Sequence, residues 1–333
     1  MPATQSRKKY PVCCFGEVLI DFLQDPADSA VFRRFAGGAP ANVAVAVAKL
    51  GGDSQFIGML GQDMFGDFLQ GELQRYGVDC QAIARTQAAK TALAFVALDN
   101  KGDRSFSFYR PPAADLLYQP TDCPAQLWAE PGILHLCSNS LTEAAIAATS
   151  FALVQQARQC GWLISVDANL RHNLWPGGQA DRALVMSLLQ QADLIKLSDD
   201  ELQFLANGQD SGEWIGQLLP RPCADVLAQP RWLVVTAGAS EVQSFSQQQL
   251  MSMPVKPVPV LDTTAAGDAF VGAWLYQLSC RLAAGFSLDS LLQDQQAVEQ
   301  ILQGAIAAGS LTCQQYGSFA ALPEFSEWQA ALV

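Results

Sequence analysis

The string Asp262-Thr263-Thr264-Ala265-Ala266-Gly267-Asp268-Ala269-Phe270 puts small residues, a glycine and a carboxylate where a helix begins. The first amides of a helix have no intrahelical partner, and that end carries roughly +0.5 of a charge. Small side chains leave those amides open to an anion. Asp268, in the first turn, reads by itself as an ordinary helix-dipole aspartate; the nine-residue string around it argues for more. A second segment, Phe35-Ala36-Gly37-Gly38-Ala39-Pro40-Ala41-Asn42-Val43-Ala44, carries two adjacent glycines that let backbone approach a ligand closely. Asn42 is a polar residue in the first turn of an otherwise apolar helix, and alone it reads as a helix-start residue. Two familiar nucleotide signatures are missing: there is neither G-x-x-x-x-G-K-[ST] nor G-x-G-x-x-G after a strand.

The elements that must position these residues alternate along the chain. Near-continuous apolar runs at Val12–Ile20, Ser54–Leu60, Gly132–Leu136, Trp162–Val166, Leu194–Leu197 and Trp232–Thr236 read as strands buried on both faces of a parallel sheet. Helix patterns lie between them at Pro40–Leu50, Phe65–Tyr76, Thr142–Cys160, Gln179–Gln190 and Asp268–Ala284. The alternation Val43-Ala44-Val45-Ala46-Val47 also suits a strand, but Pro40 near its start and Gly51 past its end favour helix. One region breaks the rhythm. Thr91–Leu98 and Arg104–Arg110 flank a polar Asp99–Asp103 turn and read as a β-hairpin. With the excursion Asp21–Phe35 it suggests a small β-lid, at about residues 21–36 and 90–112, on one α/β domain spanning 1–333. An ordinary surface hairpin is the plainer alternative.

Composition excludes other classes. Half of the 333 residues are apolar and 16% are charged, which supports a large core and not global disorder. A formal net charge of −12 argues against nucleic-acid binding, which needs a basic surface. Two histidines, His135 and His172, leave no room for a histidine-rich zinc site. Nine scattered cysteines with no C-x-x-C pair read mostly as buried apolar residues in a reducing cytosol. Neither a signal peptide nor a membrane span is visible.

Taken together, Gly37-Gly38 with Asn42 and Asp262-Thr263-Thr264-x-Ala266-Gly267-Asp268 resemble the two signatures of the ribokinase-like (PfkB) carbohydrate kinases. Their order and their separation of about 220 residues match, and the resemblance covers nearly the whole chain. It implies an α/β three-layer sandwich with a mostly parallel central sheet and a small β-lid. It also implies transfer of the γ-phosphoryl of ATP to a sugar hydroxyl. Within the family, Arg104-Ser105-Phe106-Ser107-Phe108-Tyr109-Arg110-Pro111 and Asp167-Ala168-Asn169-x-Arg171-x-x-Leu174-Trp175 look most like bacterial fructokinases. Kinases of 2-keto-3-deoxygluconate and aminoimidazole riboside share parts of both.

The resemblance assigns roles position by position. Asp268 would be the catalytic base, and the amides of Ala265, Ala266, Gly267 and Asp268 the hole for transferring phosphoryl oxygens. Asp21, at the end of the first strand, would bind sugar hydroxyls with Gly37, Gly38, Asn42 and Arg171, and Phe108 would close over them from the lid. Lys196 would reach ATP phosphate. Glu201 would organise Mg²⁺ through water, with Ser198 in place of the family's asparagine. Thr236 and Gly238 match the start of the nucleotide loop, and Cys313 would lie beside adenine. Asp262 and Thr264 resemble positions that hold a monovalent cation such as K⁺.

Two positions depart from the family. Glu241 stands where the nucleotide loop carries its second glycine, and Ala265 where the phosphate-binding turn carries one. An active enzyme is therefore expected to hold Ala265 in right-handed conformation, since a Cβ at positive φ costs about 1 kcal/mol or more. A catalytically silent sugar- or nucleotide-binding homologue is the alternative that these departures favour and that Gly267 and Asp268 oppose. The hairpin is expected to expose an apolar face from Leu93, Phe95, Phe106 or Phe108 that pairs with a second copy. The acidic surface is no bar to ATP, because charges beyond about 8 Å are screened at physiological salt.

Overall fold

The computed structural model describes residues 10–332 apart from 26, 99–103, 111, 220–230 and 248. In chain order the strands are β1 (Val12–Phe15), β2 (Leu19–Asp25), β3 (Asp28–Gly37), β4 (Ser54–Gly61), β5 (Ile83–Thr86), β6 (Leu93–Leu98) and β7 (Arg104–Tyr109). They continue with β8 (Ile133–Cys137), β9 (Leu163–Asp167), β10 (Leu194–Ser198), β11 (Trp232–Thr236), β12 (Glu241–Ser246) and β13 (Leu250–Pro254). Nine form one sheet in the order β13-β12-β11-β10-β9-β8-β1-β4-β5, parallel from β11 to β5 with an antiparallel edge at β12 and β13. The other four form a smaller sheet, β3-β2-β6-β7.

Both faces of the large sheet are buried. Val12 and Cys14 of β1 pack into one core, and Cys13 and Phe15 into another. This is why its strands read as unbroken apolar runs. The first core holds the helices α1 (Ala39–Lys49) and, later in the chain, Ala266–Ala283 and Gln295–Thr312. The second holds Ala144–Gln159 and Arg182–Leu189. The result is a three-layer α/β sandwich.

Helix wins over strand in α1. Alanine and valine surround its axis, and every residue from Ala39 to Val47 is buried. A helix apolar all round belongs in a core. It packs on Ala266–Ala283, where a Cβ added to Gly272 would sit 2.4 Å from the Cβ of Ala46. Glycine there lets the two helices approach closely.

One expected strand is really two. The Val12–Ile20 run breaks at Gly16 and Glu17, and Leu19 opens β2 in the small sheet. Asp21 therefore belongs to the small sheet and not to the end of the first central strand. The hairpin of β6 and β7 is present, and its Asp99–Asp103 turn lies outside the described residues. Its aromatic residues divide between two faces. Leu93 faces Tyr109 in the register, while Ala94 faces Phe108. Phe95 stacks on Phe22 at 4.9 Å with Phe32 and Tyr109 edge-on; Phe108 packs the other way, against Leu19, Ala92, Ala94 and Ala113. The Phe106 side chain lies outside the described residues.

Candidate active site

Residues 255–261 carry no regular structure and lead into a tight turn. The buried Asp262 carboxylate accepts from the Thr264 amide at 2.8 Å and the Gly317 amide at 3.3 Å. Ala266 N–H donates back to the Thr263 carbonyl at 3.3 Å, and Ala269 N–H to that of Ala265 at 2.8 Å. Closing this turn forces Ala265 to φ 60° and ψ 6°, the left-handed region. The expected right-handed conformation is thus overturned: the backbone keeps the shape that suits glycine, and alanine bears the strain. Ala265→Gly should raise stability by about 0.5–1 kcal/mol, since relief of that strain exceeds the added freedom of the unfolded chain. Because the turn keeps its path, kcat should change less than about threefold, under 0.7 kcal/mol of barrier. Denaturant unfolding and steady-state kinetics on this variant check both numbers.

The turn delivers Asp268 to the first turn of α2, which we take as Ala266–Ala283. Asp268 is buried, and its Oδ2 accepts from Asn42 Nδ2 at 2.7 Å across 226 positions of sequence. The two glycine-rich segments thus meet at one carboxylate. Burial pushes the Asp268 pKa up, while Asn42, Arg171 and Lys196 pull it back down. Asn42 owes its place to the start of α1, where Gly38 sits at φ 110°. Gly37 makes room for Asp21, since a Cβ on it would lie 2.1 Å from Asp21 Oδ2.

The C-terminal ends of two central strands supply the opposite wall. Lys196 Nζ of β10 donates to both oxygens of Asp167 of β9, at 3.1 and 3.2 Å. Burial penalises the ammonium, and the neighbouring carboxylates, Asp167 foremost, more than offset this, so Lys196 stays protonated. Its ammonium lies 3.5 Å from where a Cβ on Gly267 would be. Ser198 caps the next helix, Asp199–Ala206, in a capping box with Glu201. Glu201 accepts from the Ser198 and Leu170 amides, each at 2.7 Å, and so ties the Asn169–Arg171 loop to β10. Asn169 itself has φ 39°.

These walls enclose a cleft of about 660 Å³. Asp21, Gly38, Asn42 and Phe108 line it, as do Arg171, Lys196, Ser198 and Glu201 and the turn residues Thr264, Ala265, Gly267 and Asp268. A family model described as pfkB family carbohydrate kinase matches residues 10–324. The chain belongs to that family. The kinase is 37% identical to probable fructokinase-3 of Arabidopsis thaliana over 326 residues, 96% of this chain and 91% of that one. Its structure resembles the crystal structure of fructokinase with bound ATP from Xylella fastidiosa, with TM-score 0.88, 42% identity and coverage of 97% and 98% of the two chains. A double-mutant fructokinase of Vibrio cholerae O395, in fructose-, ADP- and potassium-ion-bound form, matches with TM-score 0.85, 33% identity and coverage of 99% and 100%.

Six of the expected residues lie outside the lining of the kinase's cleft. Gly37 and Asp262 support it from behind, as described. Thr236 pairs with Ser198 in the β10–β11 register, and Gly238 follows in a turn at φ 56°. The Cys313 carbonyl accepts from the Leu261 and Asp262 amides at 2.8 and 3.2 Å, bracing the turn. Ala266, the sixth, spends its amide on Thr263, which leaves the Gly267 and Asp268 amides in the first turn of α2. Glu241 is absent from the positive-φ residues, and its carboxylate holds Gln243 and Ser252 at 2.5 and 2.6 Å. No glycine is needed there.

Lining residues that sequence reasoning left without a role include Glu17, Asn139, Asp167 and Asn169. Glu17 carried a signal, a charge inside an apolar run. Asp167 and Asn169 belong to the Asp167–Trp175 string, whose resemblance assigns a role only to Arg171. Nothing in sequence set Asn139 apart from a loop asparagine.

Proposed function

We propose that this kinase transfers the γ-phosphoryl of ATP to fructose, giving fructose 6-phosphate, with Asp268 as the base. The observation that carries this is the buried Asp268 carboxylate, pinned by Asn42 at 2.7 Å and facing Lys196 at the start of a helix. A base with a raised pKa is better matched to a hydroxyl proton than an ordinary aspartate. The named fructokinases among its relatives support the choice of sugar.

In this reading Asp268 accepts a hydrogen bond from the sugar hydroxyl and aims its oxygen at the γ-phosphorus. The new O–P bond forms as the bridging O–P bond to ADP breaks, and the proton goes to Asp268. Charge on the equatorial oxygens meets the Gly267 and Asp268 amides, the positive end of α2 and the Lys196 ammonium. Asp21, Gly38, Asn42 and Arg171 hold the sugar, and the small sheet acts as the lid that brings Phe108 over it. Thr236, Gly238 and Cys313 flank the nucleotide. Mg²⁺, when bound, neutralises phosphate charge. Both Glu201 oxygens already accept amides, so this carboxylate suits contact with the ion through water, not direct ligation. Asp262 and Thr264 remain the K⁺ candidates; the buried Asp262 carboxylate at the end of the anion turn fits a cation. The eight described cysteines are all free, which supports a reducing cytosol.

ADP release measured across fructose, ribose, 2-keto-3-deoxygluconate and nucleosides tests the substrate. Fructose should give the highest kcat/KM, and a tenfold preference for another acceptor would reassign the kinase. A homodimer through the lid completes the proposal. Val31, Phe32 and Tyr109 are exposed large apolar side chains on the small sheet. A monomer by light scattering at micromolar concentration would count against it.

A further inference from the structure

We infer that Glu17 is a further sugar-binding residue, accepting a substrate hydroxyl on the carboxylate oxygen that the fold leaves unpaired. The inference rests on the sugar-kinase reading above. Glu17 lies in the link between β1 and β2, is 2% exposed and lines the cleft. Its Oε1 is committed: it accepts from Asn139 Nδ2 at 3.0 Å and from the Ala39 amide, at the start of α1, at 3.3 Å. Its Oε2 is buried and has no hydrogen-bond partner.

A structural anchor has no reason to keep that oxygen bare, because a carboxylate oxygen buried without a donor is costly. The Arg110 guanidinium, whose charge acts on Glu17, does not meet the need. Arg110 gives Nε to Asp115 at 2.6 Å and Nη2 to the Asn139 carbonyl at 3.0 Å. Burial raises the Glu17 pKa, and the Arg110 charge and the Asn139 amide work against that rise. Two further atoms of cleft-lining residues share the deficit: Asn42 Oδ1 and Asn139 Oδ1 are also buried and unpartnered. All three are acceptors, so the complementary ligand presents donors. Phosphate oxygens are acceptors and would be repelled; the hydroxyls of a polyol are donors. This wall therefore belongs to the sugar, while Lys196 and the α2 amides serve the phosphoryl group.

The test is a cycle between protein and substrate. Wild type and Glu17→Gln are assayed with the sugar that the wild type turns over fastest and with its monodeoxy analogues. Glu17→Gln should raise the sugar KM about 10–100-fold, the range for a hydrogen bond to a charged group, with the ATP KM within twofold. One monodeoxy analogue should cost the wild type about tenfold or more and cost the variant less than threefold. Equal losses for every analogue in both enzymes would mean that Oε2 accepts no substrate hydroxyl, and would overturn the inference. Should Glu17→Gln fail to fold, Glu17→Asp keeps the charge and withdraws it by one carbon, with the same two outcomes. A wild type silent on every sugar would strike the kinase reading itself, which the parent sugar reports separately from the cycle.

Discussion

Asp268→Asn is expected to lower kcat by at least about 10²-fold, the low end for loss of a general base. The sugar KM should move little, since the asparagine carbonyl can still accept from Asn42. The same variant should be more stable than the wild type at neutral pH. Burial raises the folded pKa of Asp268 above its ordinary value of 3.8, so its ionised form penalises the fold. That penalty is full above the folded pKa and vanishes as pH falls below the unfolded value, so the gain in melting temperature should shrink in acid. The pH profile carries the same sign. Wild-type kcat/KM for sugar should fall as pH drops through a pKa above the usual aspartate range. A variant that keeps more than a tenth of wild-type kcat would remove Asp268 from its role.

Lys196→Met should be nearly as damaging, for two separable reasons. It strips the partner from Asp167, whose carboxylate is 2% exposed, and breaking such a buried pair costs about 3–5 kcal/mol. It also removes a fixed charge beside Gly267, which should lower kcat by about 10²–10³-fold if it serves the phosphoryl group. The double variant Lys196→Met with Asp167→Asn removes both charges and should recover most of the stability. Its kcat should stay low. Recovery of both in denaturant unfolding and turnover assays would leave Lys196 a purely structural residue.

Much of this site was legible because its chemistry is local in sequence. Asp268 announced itself through the small residues before it, and Asn42 through its place in an apolar helix. Their hydrogen bond was not legible: it depends on the approach of two helices at Gly272 and Ala46, far apart in sequence. The strands buried on both faces were readable from apolar content alone. The β12–β13 edge was not, because Glu241–Ser246 is only partly buried and half of it is Gln243, Ser244 and Ser246. Ala265 shows the limit of reading residue type as conformation. Alanine suggested a right-handed turn, yet the bonds made by Asp262, Thr263 and Ala266 dictate a left-handed one. Glu17 shows the converse. Its charge sat in plain view inside an apolar run, and only packing reveals that one of its oxygens is spare.

The central claim is a phosphoryl transfer from ATP to fructose directed by Asp268. Phosphorus–proton correlated NMR of the product formed from fructose and ATP tests it most directly. Wild type should give a phosphate ester on O6 in step with ADP release, and Asp268→Asn should give the same ester at least about 10²-fold more slowly. ADP release without a sugar ester, or an ester formed equally fast by both proteins, would contradict it.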